Sequence, residues 1–243
     1  MGERTKSAFL IFGVGDALFV FLMRTFPFIL GLKVCNHIIS TILWGNAWEQ
    51  RKADAIGEYS KGSGYSKNNL VKSGTPIILY GRLYTAYELA IDGVDTYVKA
   101  ANNYDVYSTG NEVLVPASGE TAEDIARASA VVKSGLLIGG DLNIIRPKSG
   151  VNPIFLALVL STGTAQKELA KRAQGKSIVH LHNSDIKTTR LKVPRINEQI
   201  EIVNSVLTID SLITLHQRKQ IYLQILKKLS KNIFLGYSMK NSM

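Results

Sequence analysis

Three sets of residues have types and spacings that bear on chemistry. The first is Ala170-Lys-Arg-Ala-Gln-Gly175-Lys176-Ser177, a relaxed phosphate-loop pattern in which backbone amides and a lysine would cradle an anion. A working phosphate loop runs from strand into helix, so that the helix N-terminus faces the phosphate. Here a helical stretch precedes the glycine and a strand-like stretch follows it, so nucleotide binding is not expected. The second set is Asp141 with Asp185-Ile186-Lys187, which supplies in composition the carboxylates and lysine of a magnesium-dependent nuclease. The two aspartates lie far apart in the chain, and ordinary turn chemistry accounts for both. The third set is basic: Lys61, Lys67 and Lys72 with Tyr65 in one polar stretch, and Arg82 with Tyr84 just past a strand-like run. Cations hold phosphates, and a planar guanidinium also reads a guanine edge; taken singly, exposed lysines are usually just solvated.

Composition favours the third set. The chain carries 29 Lys+Arg against 19 Asp+Glu, a net charge of +10, which suits a polyanionic partner, either nucleic acid or an anionic membrane surface. Cys35 is the only cysteine and the four histidines are scattered, so neither a disulfide framework nor a cysteine-built zinc site is available. No GxSxG elbow occurs, and no glycine-rich dinucleotide fingerprint follows a strand. The expectation is a chain with no catalytic centre, no metal site and no cofactor.

These residues must be positioned by a fold, and 243 residues suffice for one substantial core plus an appendage. Residues 8–44 are apolar, but Asp16, Arg24 and Lys33 interrupt them and Pro27 breaks helical continuity; no uncharged run reaches the ~20 residues of a simple span. Residues 1–44 are expected to be a fused, frame-shifted or membrane-associated segment. From Gly45 the chain turns mixed and strongly charged. Residues 57–74 have the composition of an exposed loop, and residues 76–80, 96–100, 112–115 and 136–145 look like strands. Thr121-Ala-Glu-Asp124 resembles a helix-start box opening a helix over 123–129, and Asn152-Pro153 predicts a capped helix reaching about Gln174. A last strand is expected over 177–182. Strands interleaved with helices predict a mixed α/β domain.

After Pro194 no glycine or proline occurs before Gly236, which predicts one helix of about forty residues, roughly 60 Å long. Ile202, Val206, Ile209 and Ile213 step by four, three and four, as do Tyr222, Leu226, Leu229 and Ile233. Each set makes one apolar stripe suited to a coiled-coil partner, although the register slips between them at His216, Arg218 and Lys219. Packing on its own domain is the bland alternative for the stripe.

Several longer motifs occur in consecutive order: Trp48-Glu-Gln-Arg-Lys52, Gly57-Glu-Tyr-Ser-Lys-Gly62, Pro76-Ile-Ile-Leu-Tyr-Gly-Arg-Leu-Tyr84, Pro116-Ala-Ser-Gly-Glu-Thr-Ala-Glu-Asp-Ile125, Gly139-Gly-Asp141 and Lys171-Arg-Ala-Gln-Gly-Lys176. After Pro194 they continue with Glu198-Gln199, Asp210 and Leu215-His-Gln-Arg-Lys219. Over about residues 45–234 this resembles the specificity subunits of bacterial type I restriction-modification systems. The resemblance implies a target-recognition domain over 45–193, a spacer and dimerisation helix over 194–234 and a tail over 235–243. It also implies a cytoplasmic protein without catalysis that reads half of a bipartite site in double-stranded DNA. Methyltransferase subunits and a translocating restriction subunit dock on such a protein, whose helix pairs with a second copy or with another specificity subunit. Family members usually carry two recognition domains and two such helices, so this chain resembles half of one. The residues expected to face DNA are Lys61, Tyr65, Lys67, Arg82, Tyr84, Ser118 and Lys176. An inactive truncated remnant and a metal-dependent nuclease remain the alternatives.

Overall fold

The computed structural model describes residues 48–99, 103–175 and 178–240, with side chains as far as residue 226; residues 1–44 and Lys176 lie outside the described residues. In chain order the domain begins with β1 (Glu49–Lys52), α1 (Ala53–Ile56), β2 (Gly57–Lys61), β3 (Leu70–Val71), β4 (Thr75–Ile78) and α2 (Arg82–Thr85). It continues through β5 (Ala90–Ile91), β6 (Tyr97–Val98), β7 (Tyr107–Thr109), β8 (Glu112–Pro116), β9 (Ser118–Gly119), α3 (Ala122–Ile125), β10 (Ser129–Val131), β11 (Ser134–Ile138) and β12 (Leu142–Pro147). Then come α4 (Pro153–Leu160), α5 (Gly163–Arg172), β13 (Val179–His180), α6 (Asn183–Thr188), β14 (Arg190–Val193) and the long α7 (Ile196–Lys240). This is the mixed α/β architecture with a terminal long helix that the sequence pattern predicts.

Two five-stranded sheets carry the domain, in orders β2-β12-β8-β10-β5 and β3-β6-β4-β11-β7. Most neighbours are antiparallel, but β10 runs parallel to β5 and β11 parallel to β4. The central strands are apolar in nearly continuous runs: all five residues of β8 are buried, and Ile78, Leu114, Ile138 and Ile144 meet in one core cluster. Helix α4 is apolar at every position and packs on β8, β10 and β12, as expected of a helix enclosed by a core rather than lying on its surface. Among the described residues no helix is long and apolar enough to cross a membrane.

The predicted single strand over 136–145 is two strands in two different sheets. Gly139-Gly140-Asp141 makes the corner: the Gly139 amide donates to the Ile78 carbonyl (2.9 Å), the Gly140 amide to the Tyr65 carbonyl (3.0 Å), and Asp141 adopts a left-handed φ of 56°. A Cβ added to Gly62 would collide with the Gly139 carbonyl, so the chain after β2 approaches this corner only because residue 62 lacks a side chain. The predicted helix over 153–174 is also two helices. The Ser161 hydroxyl is buried between the Ala128 amide (2.7 Å) and carbonyl (3.1 Å), and Gly163 follows at φ 60°, which together break the helical path. Residues 57–74, expected to be a loop, hold β2, a 3-10 turn at Lys67–Asn69 and β3, because the ladders from β12 and β6 override their polar composition. The chain after Thr121 forms only α3 before entering β10, and residues 183–193, outside any predicted element, form α6 and β14.

The described residues through Val203 form one compact unit and those from Asn204 onward another. Within the first, β1 pairs antiparallel with β14, Glu49 facing Val193 and Lys52 facing Arg190, so the two ends of the domain meet beside the first turns of α7. Gln199 is completely buried there. Its side-chain amide donates to the carbonyls of Pro194 (2.8 Å) and Gly150 (3.0 Å), and its oxygen accepts from the Asn152 amide (2.8 Å). Asn152 in turn caps α4, accepting from the amides of Ile154 and Phe155. Beside it, the Trp48 indole N–H donates to Glu198 (2.8 Å), and the ring meets Phe155 edge-on at 6.2 Å.

A second buried polar group closes the turn between β7 and β8, which belong to different sheets. The Glu112 side chain has no solvent exposure; its carboxylate accepts from the amides of Thr109, Gly110 and Asn111 and from the Thr109 hydroxyl, with Arg146 Nε at 3.4 Å. Burial alone would raise its pKa, but these donors and the Arg146 charge outweigh burial and hold it below the ordinary 4.5.

Replacing Gln199 with alanine strands an amide and two carbonyls, and is expected to cost about 2–4 kcal/mol in urea unfolding of the full chain. Replacing Glu112 with glutamine is expected to cost about 1–3 kcal/mol at pH 7. Because the folded pKa of Glu112 is depressed, its contribution is fully present above the unfolded value and is lost as pH falls through the folded one. The stability gap between wild type and Glu112→Gln should therefore narrow as pH falls below about 4.5; a constant gap down to pH 3 would contradict the assignment.

Candidate nucleic-acid interface

The residues expected to face DNA fall into three places. Lys61, exposed at the end of β2, pairs in register with Asn143 of β12. Ser118 in β9 pairs with His180 in β13, but only 7% of it is exposed. These two positions belong to one edge. The Ala117 amide donates to the Asp141 carbonyl (2.7 Å), the Asn143 side chain to the Leu181 carbonyl (2.8 Å), and the Asn183 side chain to the Ser60 carbonyl (2.9 Å). The imidazoles of His180 and His182 lie parallel on this edge, exposed, with centroids 6.5 Å apart. Sequence spacing does not single them out, because only the short β9–β13 ladder and the turn into α6 bring them there.

The second place is the turn after Gly62. Lys67, Asn68 and Asn69 are exposed, but Tyr65 is not the loop-borne contact its sequence setting suggests. Its ring is buried with Ile77, Val98 and Leu137, and its hydroxyl donates to Asp105 (3.2 Å). Tyr65 therefore fixes the turn from beneath, since its ring is worth more in the core than in water.

The third place holds Arg82 and Tyr84. Arg82 is only 18% exposed on its side chain, and its guanidinium bonds Glu88 (2.8 Å) and Asp95 (3.2 Å) and reaches the Gly93 carbonyl (3.4 Å). Its fork is occupied by two carboxylates, so the expectation that it reads a base edge gives way to a structural role that ties α2 to the β5–β6 turn. Tyr84 lies against Tyr80, rings 6.1 Å apart. Partial burial raises its phenol pKa first, then the neighbouring Tyr80, Glu120 and Asp124 raise it further, an acidic setting poorly matched to phosphate.

The groups invoked for other chemistry are engaged locally. Asp185 accepts from the His182 amide (2.9 Å) at the start of α6, and Lys187 pairs with Asp54 (3.4 Å). Among the described residues no group of three His, Cys, Asp or Glu side chains is arranged to hold a metal ion. Gly175 stands at φ 139° between α5 and β13, where a Cβ would collide with the Ile178 carbonyl, so the glycine of the phosphate-loop pattern serves a chain reversal. On α7, Ile202, Val206 and Ile209 are half-buried, while Ile213, Tyr222 and Leu226 are 50%, 61% and 43% exposed. The side chains of Leu229 and Ile233 lie outside the described residues.

The described residues thus form an α/β domain that continues in sequence into one long helix. A family model described as the type I restriction modification DNA specificity domain matches residues 46–226, and the chain belongs to that family. Solved structures share the fold at low identity. The HsdS subunit from Thermoanaerobacter tengcongensis matches with a TM-score of 0.50 and 14% identity, over 72% of this chain and 40% of that one. A chain from a study of complex assembly and conformational transition of the type I R-M system matches with a TM-score of 0.52 and 16% identity, over 77% and 47%. The type I restriction-modification S subunit from M. genitalium aligns at 0.48 and 17%, over 68% and 39%. The chain thus spans less than half the length of each of these structures. No curated protein matches it.

Replacing Arg82 with alanine removes the cation that Glu88 and Asp95 share. It is expected to lower stability by about 1–2 kcal/mol, and Arg82→Lys should recover little because an ammonium lacks the fork that spans both carboxylates. Thermal unfolding of the two variants measures this; an Arg82→Ala chain as stable as wild type would return Arg82 to the list of ligand-facing groups.

Proposed function

We propose that the chain is a DNA-reading specificity subunit of a type I restriction-modification system, without a reaction of its own. In this proposal it reads one half of a bipartite site in double-stranded DNA, acts in the cytoplasm, and docks methyltransferase and restriction subunits. The observation that carries the proposal is the family match running without interruption from the first strand of the domain into α7. The net charge of +10 and the exposed Lys61 and Lys67 favour a polyanionic ligand. The groups offered to DNA are Lys61 and Lys67 for phosphates, with Ser118 on the edge that carries Lys61; from sequence alone, Tyr84 and Lys176 are offered as further contacts. The exposed Ile213, Tyr222 and Leu226 favour pairing of α7 with a helix of a second copy or of another specificity subunit. The spacing between half-sites then follows from helix length.

Methylation mapping of DNA from cells expressing this chain with methyltransferase subunits is expected to return a bipartite adenine-methylated motif. Symmetric halves indicate self-pairing, and asymmetric halves a second specificity subunit. Inserting one heptad after Ser211 should lengthen the gap between the halves. No methylated motif would overturn the function, and an unchanged gap would overturn the spacer role of α7.

A further inference from the structure

Tyr104 is 90% exposed, the most exposed large hydrophobic side chain among the described residues. Isolated exposed aromatics are ordinary on protein surfaces; what sets this one apart is how its backbone is held and what stands beside it. The next residue, Asp105, accepts from the buried Tyr65 hydroxyl (3.2 Å). The one after, Val106, donates its amide to the Ser63 hydroxyl (2.6 Å) and accepts from the Ile138 amide (2.8 Å). Those bonds join the 103–106 segment to the turn that follows Gly62. That turn is closed by its own bonds: the Asn69 side-chain oxygen accepts from the Ser66 amide (2.8 Å) and hydroxyl (3.2 Å), and the Asn69 amide donates to the Ser66 carbonyl (3.0 Å). Exposed Lys67 and Asn68 sit at its tip, and Asn103 precedes the tyrosine. Two mutually bonded segments, 103–106 and the turn after Gly62, therefore carry an exposed aromatic ring, two exposed side-chain amides and an exposed ammonium.

From this juxtaposition we infer that Tyr104 is a specificity-determining residue whose ring packs against base edges in a DNA groove, with Asn68 beside it hydrogen-bonding a base and Lys67 holding the adjacent phosphate. The inference rests on the DNA-reading function proposed above and assigns the part of the domain that does the reading. The chemistry fits DNA better than a protein partner. A docking surface for protein wants a contiguous apolar centre, whereas this ring stands among amides and a cation. Side-chain amides match the donor and acceptor pairs of base edges, a ring offers apolar contact to a thymine methyl, and a lysine adds a sequence-independent charge. Because the 103–106 segment and the Ser66–Asn69 turn are bonded before any ligand arrives, their backbone loses little ordering entropy on binding.

The test selects sequences from a random double-stranded DNA pool with the full chain expressed with methyltransferase subunits, as wild type, Tyr104→Ala, Tyr104→Phe and Lys67→Ala. Tyr104→Ala is expected to lose selection at one or two adjacent positions and to bind the wild-type motif about tenfold more weakly, with its affinity for random DNA and its melting temperature unchanged. Tyr104→Phe should retain the motif, since it keeps the ring. Lys67→Ala should keep the motif while weakening all sequences alike and flattening the salt dependence by about one counterion. The inference is overturned by a Tyr104→Ala chain that selects the same motif with the same affinity, by equal losses on random DNA, or by loss of the motif in Tyr104→Phe. A wild-type chain that selects no sequence at all would instead remove the DNA-reading function, and this assignment with it.

Discussion

The buried amide of Gln199 is the constraint on which the rest of the domain depends. One side chain satisfies the Asn152 amide and the carbonyls of Gly150 and Pro194, three backbone groups that would otherwise be lost to water. Burying an unpaired amide or carbonyl costs on the order of 1–3 kcal/mol, so the turn after β12, the cap of α4 and the entry to α7 cannot rearrange independently. The neighbouring Trp48–Glu198 bond and the β1–β14 ladder add the first strand to the same joint. A domain closed in this way has its two ends and the residues up to Val203 joined in one corner.

A second constraint acts at the corner between the sheets. Gly62 lies so close to the Gly139 carbonyl that it tolerates no side chain, Gly139 is itself hemmed in by Leu79 and the Ile78 carbonyl, and Asp141 takes a left-handed conformation to send the chain from one sheet into the other. The turn carrying Lys67 and Asn68, the Tyr104 segment and the Ser118–His180 ladder all bond to backbone within a few residues of that corner or its partner strands. The loops are thus carried on rigid strands, which is where a recognition surface is held most accurately. Electrostatics then sorts the cations. Arg82 lies beside two carboxylates and is neutralised within the fold, whereas Lys61 at the end of β2 and Lys67 in the turn after it stay in solvent.

Much of this was legible residue by residue. The capping roles of Thr121 and Asn152 follow from side-chain chemistry within three residues, and both appear as bonds. The strand at β8 and the break-free path of α7 follow from local composition, because β-branched runs and the lack of glycine and proline act over short range. The helix nevertheless continues through Gly236 to Lys240, since one glycine costs only about 1 kcal/mol in a helix. What local pattern misses is non-local. Residues 57–61 look like a loop until β12 supplies their ladder, and residues 136–145 look like one strand until two sheets claim its halves. Helix α6 and strand β14 are too short and polar to stand out.

The family, the α/β class and the basic domain followed by one long helix are all legible along the chain. These are written in periodicity, composition and ordered motifs, all of which act along the chain. Which polar residues are available to a ligand was decided only by the tertiary structure. Tyr65 and Arg82 have the right chemistry for DNA, but Tyr65 is buried with Ile77, Val98 and Leu137, and the Arg82 guanidinium is engaged by Glu88 and Asp95. Tyr104, unremarked in the sequence, stands out because Tyr65 and Ser63, some forty positions earlier, hold its segment in place. Exposure and pairing are properties of distant neighbours, and a one-dimensional pattern does not contain them.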